Sequence, residues 1–284
     1  MKIIECPRDA MQGVEEFIPT ETKVKYIHQL LRIGFDTLDV GSFVSPKVVP
    51  QMRDTAEVLR QLDMERTTTK LLAIVANTRG AKEACMFKDI NYVGFPLSIS
   101  ETFQERNTNK SISEALTTVS EIHEICSATG KTLVVYISMG FGNPYGDPYD
   151  VGLVGQFVDI LSTLEIRIIS LADTIGISTP DQIRYLFTSL TPQFPDIEFG
   201  AHLHSNPLTA REKIQAAFEA GCRRFEGAIK GFGGCPMADD RLVGNVATEE
   251  IISYLDLKNA APVLDREALG EAMTLADSVF PVHL

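Results

Sequence analysis

Eight short runs of β-branched or apolar residues, near 2–6, 36–41, 70–75, 90–96, 132–138, 167–172, 196–203 and 223–228, alternate with stretches of helical period from one end of the chain to the other. Such alternation leaves few folds open. Strands joined through helices pair in parallel, and eight of them predict an α/β fold closed as a (β/α)8 TIM barrel. An open doubly wound sheet is the other solution, but no GxGxxG opens a helix after the first strand. Helix starts are marked by Thr20 before 21–32, by Ser111 or Ser113 before a stripe of Leu116, Val119, Ile122 and Ile125, and by Thr179-Pro180 before Ile183, Leu186 and Phe187. No linker or composition break divides the chain. A single domain over 1–284 is expected, with 264–279 as a final helix covering the barrel.

In such a barrel the chemistry sits where the strands end, so polar residues at those points carry information that surface charges do not. The seventh run ends in His202-Leu203-His204. Strand side chains at i and i+2 leave one face, so both imidazoles can converge on one ion; a pair of capping or solvated histidines is the plainer alternative. The first run leads into Cys6-Pro7-Arg8-Asp9, where Arg8 and Asp9 read either as site residues or as a surface ion pair. Asp39 lies between Leu38 and Val40, and a buried carboxylate there needs an arginine or a metal beside it. The sixth run ends at Asp173-Thr174-Ile175-Gly176, ordinary turn chemistry that gains meaning from its position. The eighth leads to Gly231-Phe232-Gly233-Gly234-Cys235-Pro236, a mobile backbone that could fold a thiol over a ligand. Asn245 reads as a helix cap or as an amide oxygen for a hard cation.

The balance of 26 basic against 38 acidic residues gives a net charge of −12 with no basic block, which excludes a nucleic acid or an anionic membrane as the natural partner and favours a small molecule. Five cysteines, Cys6, Cys85, Cys126, Cys222 and Cys235, show no CxxC spacing, as expected of thiols kept reduced in the cytoplasm. The first residues enter a strand-like run with no charged-then-apolar leader, and no apolar run approaches the roughly 18 residues that span a bilayer.

Taken together, the motifs resemble the 3-hydroxy-3-methylglutaryl-CoA lyase family, metal-dependent barrels related to isopropylmalate and homocitrate synthases. The resemblance is carried by Pro7-Arg8-Asp9-Ala10-Met11-Gln12, by Gly41-Ser42-Phe43-Val44-Ser45-Pro46-Lys47 with Val49-Pro50-Gln51-Met52, by Ser170-Leu171-Ala172-Asp173-Thr174-Ile175-Gly176, by His202-Leu203-His204, and by Gly233-Gly234-Cys235-Pro236 running on to Gly244-Asn245. It implies that Asp9, His202, His204 and Asn245 bind Mg2+ or Mn2+. It also implies that Arg8 binds the thioester carbonyl and stabilises an enolate, and that Cys235 rides on a loop closing over an acyl-CoA in a reaction of leucine degradation. The sequence departs from the family at three points, one of them a Cys235-to-Asn245 loop one residue longer than usual. Asp39 stands where the family usually has Glu, and Ser205-Asn206-Pro207-Leu208-Thr209-Ala210 replaces Asp-Thr-Tyr-Gly-Gln-Ala after the second histidine.

Cleaving a carbon–carbon bond beside a thioester takes a proton from a β-hydroxyl and returns one to an enolate carbon. Asp39, Asp173, His202 and Cys235 are the candidates for those transfers, with Asp39 or Asp173 on the hydroxyl and Cys235 on the carbon. A condensing enzyme of the same superfamily and a barrel that binds acyl-CoA or metal without turnover are the two alternatives. Lys47 and Arg53 are candidates for the CoA phosphates, and a homo-oligomer is possible for such a barrel.

Overall fold

The computed structural model describes residues 1–234 and 243–280. Among them, β1 (Lys2–Glu5), β2 (Thr37–Ser42), β3 (Lys70–Ile74), β4 (Ile90–Ser98), β5 (Thr132–Ser138), β6 (Ile168–Asp173), β7 (Glu198–Leu203) and β8 (Arg224–Gly227) pair in parallel, in chain order, with β8 closing onto β1. The expected (β/α)8 barrel is therefore present. Two of the expected helix starts carry their caps, whereas the helix Thr20–Leu31 follows Pro19 with no side-chain cap, Thr20 lying inside it. Ser111 accepts from the backbone N–H of Glu114 while the Glu114 carboxylate reaches back, and Thr179 and Gln182 make the same reciprocal box around Pro180. A helix occupies Arg266–Val279, capped by Asp265, and lies against the helix Thr20–Leu31, with Phe280 edge-on to Tyr26. No helix of the described residues is long and apolar enough to cross a membrane.

Strand alternation sorts side chains between the barrel axis and the surrounding helices. Outward residues such as Ile3, Leu38, Val40, Leu171, Phe199, Ala201, Leu203 and Phe225 join the large apolar layer under the helices. On the axis the barrel is divided. Leu72, Ile74, Tyr92, Val134, Tyr136 and Ile168, from β3 to β6, form one apolar half. Asp39, His202, Arg224 and Glu226, from β2, β7 and β8, form a charged half, all buried. Charges taken out of water are costly unless paired and hydrogen-bonded, so this division marks where the fold forgoes stability for chemistry.

Glu5 faces outward from β1 and is fully buried, accepting hydrogen bonds from the hydroxyl of Thr248 at 2.5 Å and the N–H of Ile229 at 2.9 Å. Burial outweighs both bonds and pushes its carboxyl from 4.5 up to about 8. Between those values the folded chain holds a proton that the unfolded chain has released, so this residue's contribution to stability falls as pH rises through the window. Glu5→Gln keeps the shape and never ionises. Its melting temperature relative to the unsubstituted protein is expected to climb from pH 5 to pH 8; a difference that stays flat in thermal melts across that range would show that Glu5 is ionised in the fold.

Candidate active site

Arg8 and Asp9 sit on a one-and-a-half-turn helix, Pro7–Gln12, set directly on the end of β1, and Pro7 starts it because its missing N–H is one the first turn leaves unused. The Arg8 guanidinium is held on several sides. Its Nε and Nη2 donate to Oδ2 of Asp39 at 2.9 and 2.5 Å, and Nη1 donates to Oδ1 of Asp9 at 2.9 Å and to Oε1 of Gln12 at 2.8 Å. Asp39 thus lies behind Arg8, and its shorter side chain reaches the arginine fully. Burial raises the Asp39 carboxyl to about 6 despite the neighbouring cation. Burial also acts to raise Asp9, but Arg8 and the two histidines outweigh it and bring that group down to about 2.

The i, i+2 spacing of His202 and His204 brings their Nε2 atoms to 3.3 Å of each other, and His204 Nε2 lies 3.9 Å from Oδ2 of Asp9. One ligand atom each from Asp9, His202 and His204 falls within a span of 4.8 Å. Asn245 arrives by a different route. The segment after residue 242 runs back along β7, with Ser205 N–H donating to Gly244 O at 3.0 Å and Val246 N–H to Leu203 O at 3.1 Å, so Asn245 pairs with His204 across a single antiparallel bridge. Its Nδ2 donates to Asp9 Oδ2 at 2.7 Å and to Phe232 O at 2.9 Å. Gly233, at φ 101°, makes this approach possible: a Cβ there would lie 2.7 Å from both Asn245 Nδ2 and the Asp9 carbonyl.

Two observations show that these residues fit a cation. Asn245 Oδ1 is buried and accepts no hydrogen bond from the described residues. The histidines are also turned to present lone pairs, since Nδ1 of His202 faces the Glu226 carboxylate at 3.2 Å and Nδ1 of His204 faces the Val243 carbonyl at 3.0 Å. Both partners only accept, so each neutral imidazole keeps its proton on Nδ1 and leaves Nε2 bare. Two bare nitrogens 3.3 Å apart repel each other unless a positive charge lies near them. Burial, and repulsion from His202 whenever that ring is protonated, lower His204 to about 4, whereas at His202 the bond to Glu226 overcomes burial and raises it.

Beside this corner is a cavity whose lining includes Arg8, Asp9, His202 and His204 together with Ile74, Pro96, Phe103 and Tyr136, the last edge-on to the His202 ring. The structure brings Arg8, Asp9, His202, His204 and Asn245 together, with Asp39 immediately behind. It does not bring Asp173. That residue has the outward parity of β6, accepts from Ser178 and Ile177 N–H, and pairs with Lys213 at 2.8 Å in the helix layer, so its reading as a proton-transfer group is corrected to that of a loop anchor. Lys213 ties the same loop to the His204 carbonyl at 3.0 Å. Ser205 turns to Thr209 Oγ1 and the Asn206 carbonyl rather than to the histidines. Arg53 stacks on Phe17 at 3.5 Å and Lys47 is exposed. Cys235 lies outside the described residues.

Glu226, the residue behind His202, went unnoticed in the sequence. Its signal was there, since Arg224-Phe225-Glu226 places two charges at i and i+2 in an otherwise apolar strand, the spacing that singled out the histidines.

The family model described as HMGL-like matches residues 2–276 of this chain. The chain belongs to the HMGL-like family. It is 34% identical over 250 residues to the hydroxymethylglutaryl-CoA lyase of Bacillus subtilis, covering 88% of this chain and 83% of that one. It is 31% identical over 276 residues to the (R)-citramalyl-CoA lyase of Chloroflexus aurantiacus, covering 93% and 86%. Among solved structures, an HMG-CoA lyase from Acinetobacter baumannii in complex with coenzyme A and 3-methylmalate superposes with a TM-score of 0.91 at 27% identity, over 99% of this chain and 91% of that one. Membership of this family makes the protein a lyase.

Proposed function

We propose that the protein is a divalent-cation-dependent carbon–carbon lyase that cleaves 3-hydroxy-3-methylglutaryl-CoA to acetyl-CoA and acetoacetate, acting as one catalytic domain in the cytoplasm, in leucine breakdown. The observation that carries this reading is the convergence of Asp9, His202, His204 and the unpartnered Asn245 Oδ1 beside Arg8 at one cavity. Two imidazoles with two hard oxygens suit Mg2+ or Mn2+, whereas structural zinc sites favour tetrahedral sets richer in sulfur. When bound, such a cation lowers the pKa of the substrate hydroxyl and polarises a carbonyl or carboxylate oxygen.

The residues of the chain supply the rest. Arg8 faces the cavity with a permanent charge and stabilises the thioester enolate as the C2–C3 bond breaks and its electron pair moves onto the carbonyl oxygen. Asp39 and Gln12 fix the guanidinium so that it need not reorganise during the reaction. His202, with Nδ1 protonated and Nε2 directed at the cation, has no lone pair left for the hydroxyl proton. Asp39, raised to about 6 and with Oδ1 unpartnered among the described residues, remains the proposed acceptor, and a second proton returns to C2, a step for which Cys235 remains the proposed group. The apolar wall of Ile74, Pro96 and Phe103 receives the methyl side of the acyl chain and excludes water from the enolate.

The test is a panel of 3-hydroxyacyl-CoA thioesters, including 3-hydroxy-3-methylglutaryl-CoA and (R)-citramalyl-CoA, incubated with Mg2+ or Mn2+ and read as free acetyl-CoA. The methylglutaryl thioester is expected to turn over fastest, and in D2O the acetyl-CoA methyl should carry one deuterium. Preference for citramalyl-CoA would reassign the substrate. Binding of all the thioesters without acetyl-CoA release would favour a non-catalytic barrel.

A further inference from the structure

Directly behind the histidine pair, the barrel axis holds Glu226, fully buried on β8, opposite His202 in the β7–β8 pairing. Its two oxygens have separate tasks. Oε2 lies 3.2 Å from Nδ1 of His202. Oε1 accepts the Ser170 hydroxyl from β6 and lies 3.4 Å from Nε of the fully buried Arg224. Room for this arrangement comes from Gly200, where a Cβ would press on Ser170 Oγ and stand 3.0 Å from Arg224 Cδ. Held at one oxygen by the Ser170 hydroxyl and by the nearby charge of Arg224, whose Nε is close without a hydrogen bond, the carboxylate keeps its other oxygen facing the imidazole.

Resting on the cation-site reading above, we propose that Glu226 is a positioning residue that holds His202 in the Nδ1–H tautomer and so keeps the Nε2 lone pair directed at the cation. A neutral imidazole carries one ring proton, and an acceptor fixed at Nδ1 decides which nitrogen has it. Glu226 does not line the cavity. It acts through His202, as Val243 O acts through His204 with a backbone carbonyl.

Glu226→Gln tests this because the anchoring groups favour one turn of the amide. The Arg224 cation, 3.4 Å from the Oε1 position, favours the amide oxygen there with the Ser170 hydroxyl donating to it, which leaves the NH2 group facing Nδ1 of His202. The ring must then accept at Nδ1 and carry its proton on Nε2, where it donates to His204 Nε2 across the 3.3 Å gap and blocks the cation. Two readouts follow. Nitrogen-15 NMR of histidine-labelled, metal-free protein, above the imidazole titration range, should show His202 changing from the Nδ1–H to the Nε2–H tautomer. Titration with Mn2+ alone should show affinity weakened by about 10- to 100-fold.

A loss of packing would not move a ring proton between nitrogens, so the tautomer separates positioning from a structural role. If unsubstituted protein binds no Mn2+, the cation-site reading itself fails. If it binds Mn2+ and Glu226→Gln binds equally well, or keeps His202 as Nδ1–H, the role of Glu226 is overturned. Should the single variant fail to fold because Arg224 loses a counter-charge, Glu226→Asp keeps that charge but withdraws the carboxylate from Nδ1 of His202, and weakened Mn2+ binding is expected in the same two measurements.

Discussion

Replacing Arg8 with methionine is expected to lower turnover by about 10²- to 10³-fold while acyl-CoA binding changes only a few-fold, because the lost charge is one the transition state needs and the ground state does not. The structure gives this residue no substitute. Among the described residues that line the cavity, Arg8 is its one arginine or lysine, and Asp39, Asp9 and Gln12 hold its guanidinium at 2.5 to 2.9 Å. Two buried carboxylates lose their partner in the variant, which costs stability. Asp39, already raised to about 6, relieves part of that cost by taking a proton. Circular dichroism therefore accompanies the kinetics, and Arg8→Lys serves as comparator, since an ammonium keeps the charge but cannot reproduce the forked contact with Asp39. Equal falls in kcat/KM and in binding affinity, with kcat unchanged, would show that Arg8 only binds the thioester.

Removing a histidine should have the larger effect. His204→Ala is expected to abolish binding of the one Mn2+ per chain that the Asp9, His202, His204 and Asn245 set can hold, and to lower turnover by about 10³-fold or more, the equivalent of several kcal/mol of charge stabilisation. The fold should survive. The side chain is buried, but its ring contacts are the second histidine, Asp9 and the Val243 carbonyl, so its loss removes a repelling pair rather than a core contact. Mn2+ titration monitored by electron paramagnetic resonance gives the stoichiometry directly. Undiminished Mn2+ binding in both His202→Ala and His204→Ala would place the cation elsewhere.

Much of this candidate site is legible in the amino-acid sequence. The strands carry their own signature, since short β-branched runs separated by amphipathic helices admit only a parallel sheet, and eight of them close it; all eight appear within two residues of their expected ends. His202 and His204 were legible because strand parity is local, needing only two residues of context. Asp39 was legible for a related reason, since a carboxylate inside an apolar strand requires a counter-charge, and Arg8 is there to provide it.

Asp173 shows the limit of that kind of reading. It stands at the end of β6, as a site residue should, yet Ala172 faces the cavity and Asp173 faces Lys213, a partner 40 residues away in sequence. A strand end reveals that a residue is near the site, but a single step in register decides which side of the wall it is on. Asn245 and Glu226 mark the same boundary. The return of 243–247 along β7, and the anchoring of Glu226 by Ser170 and Arg224, depend on contacts between three strands and a loop that no spacing in the chain encodes. The sequence by itself determined the barrel and the residue types that gather at its mouth, because periodicity and parity act over a few neighbouring residues. Only the tertiary structure decided which of those residues share the cavity and which imidazole nitrogens are left bare, because those outcomes depend on hydrogen-bond partners that closure of the barrel brings together.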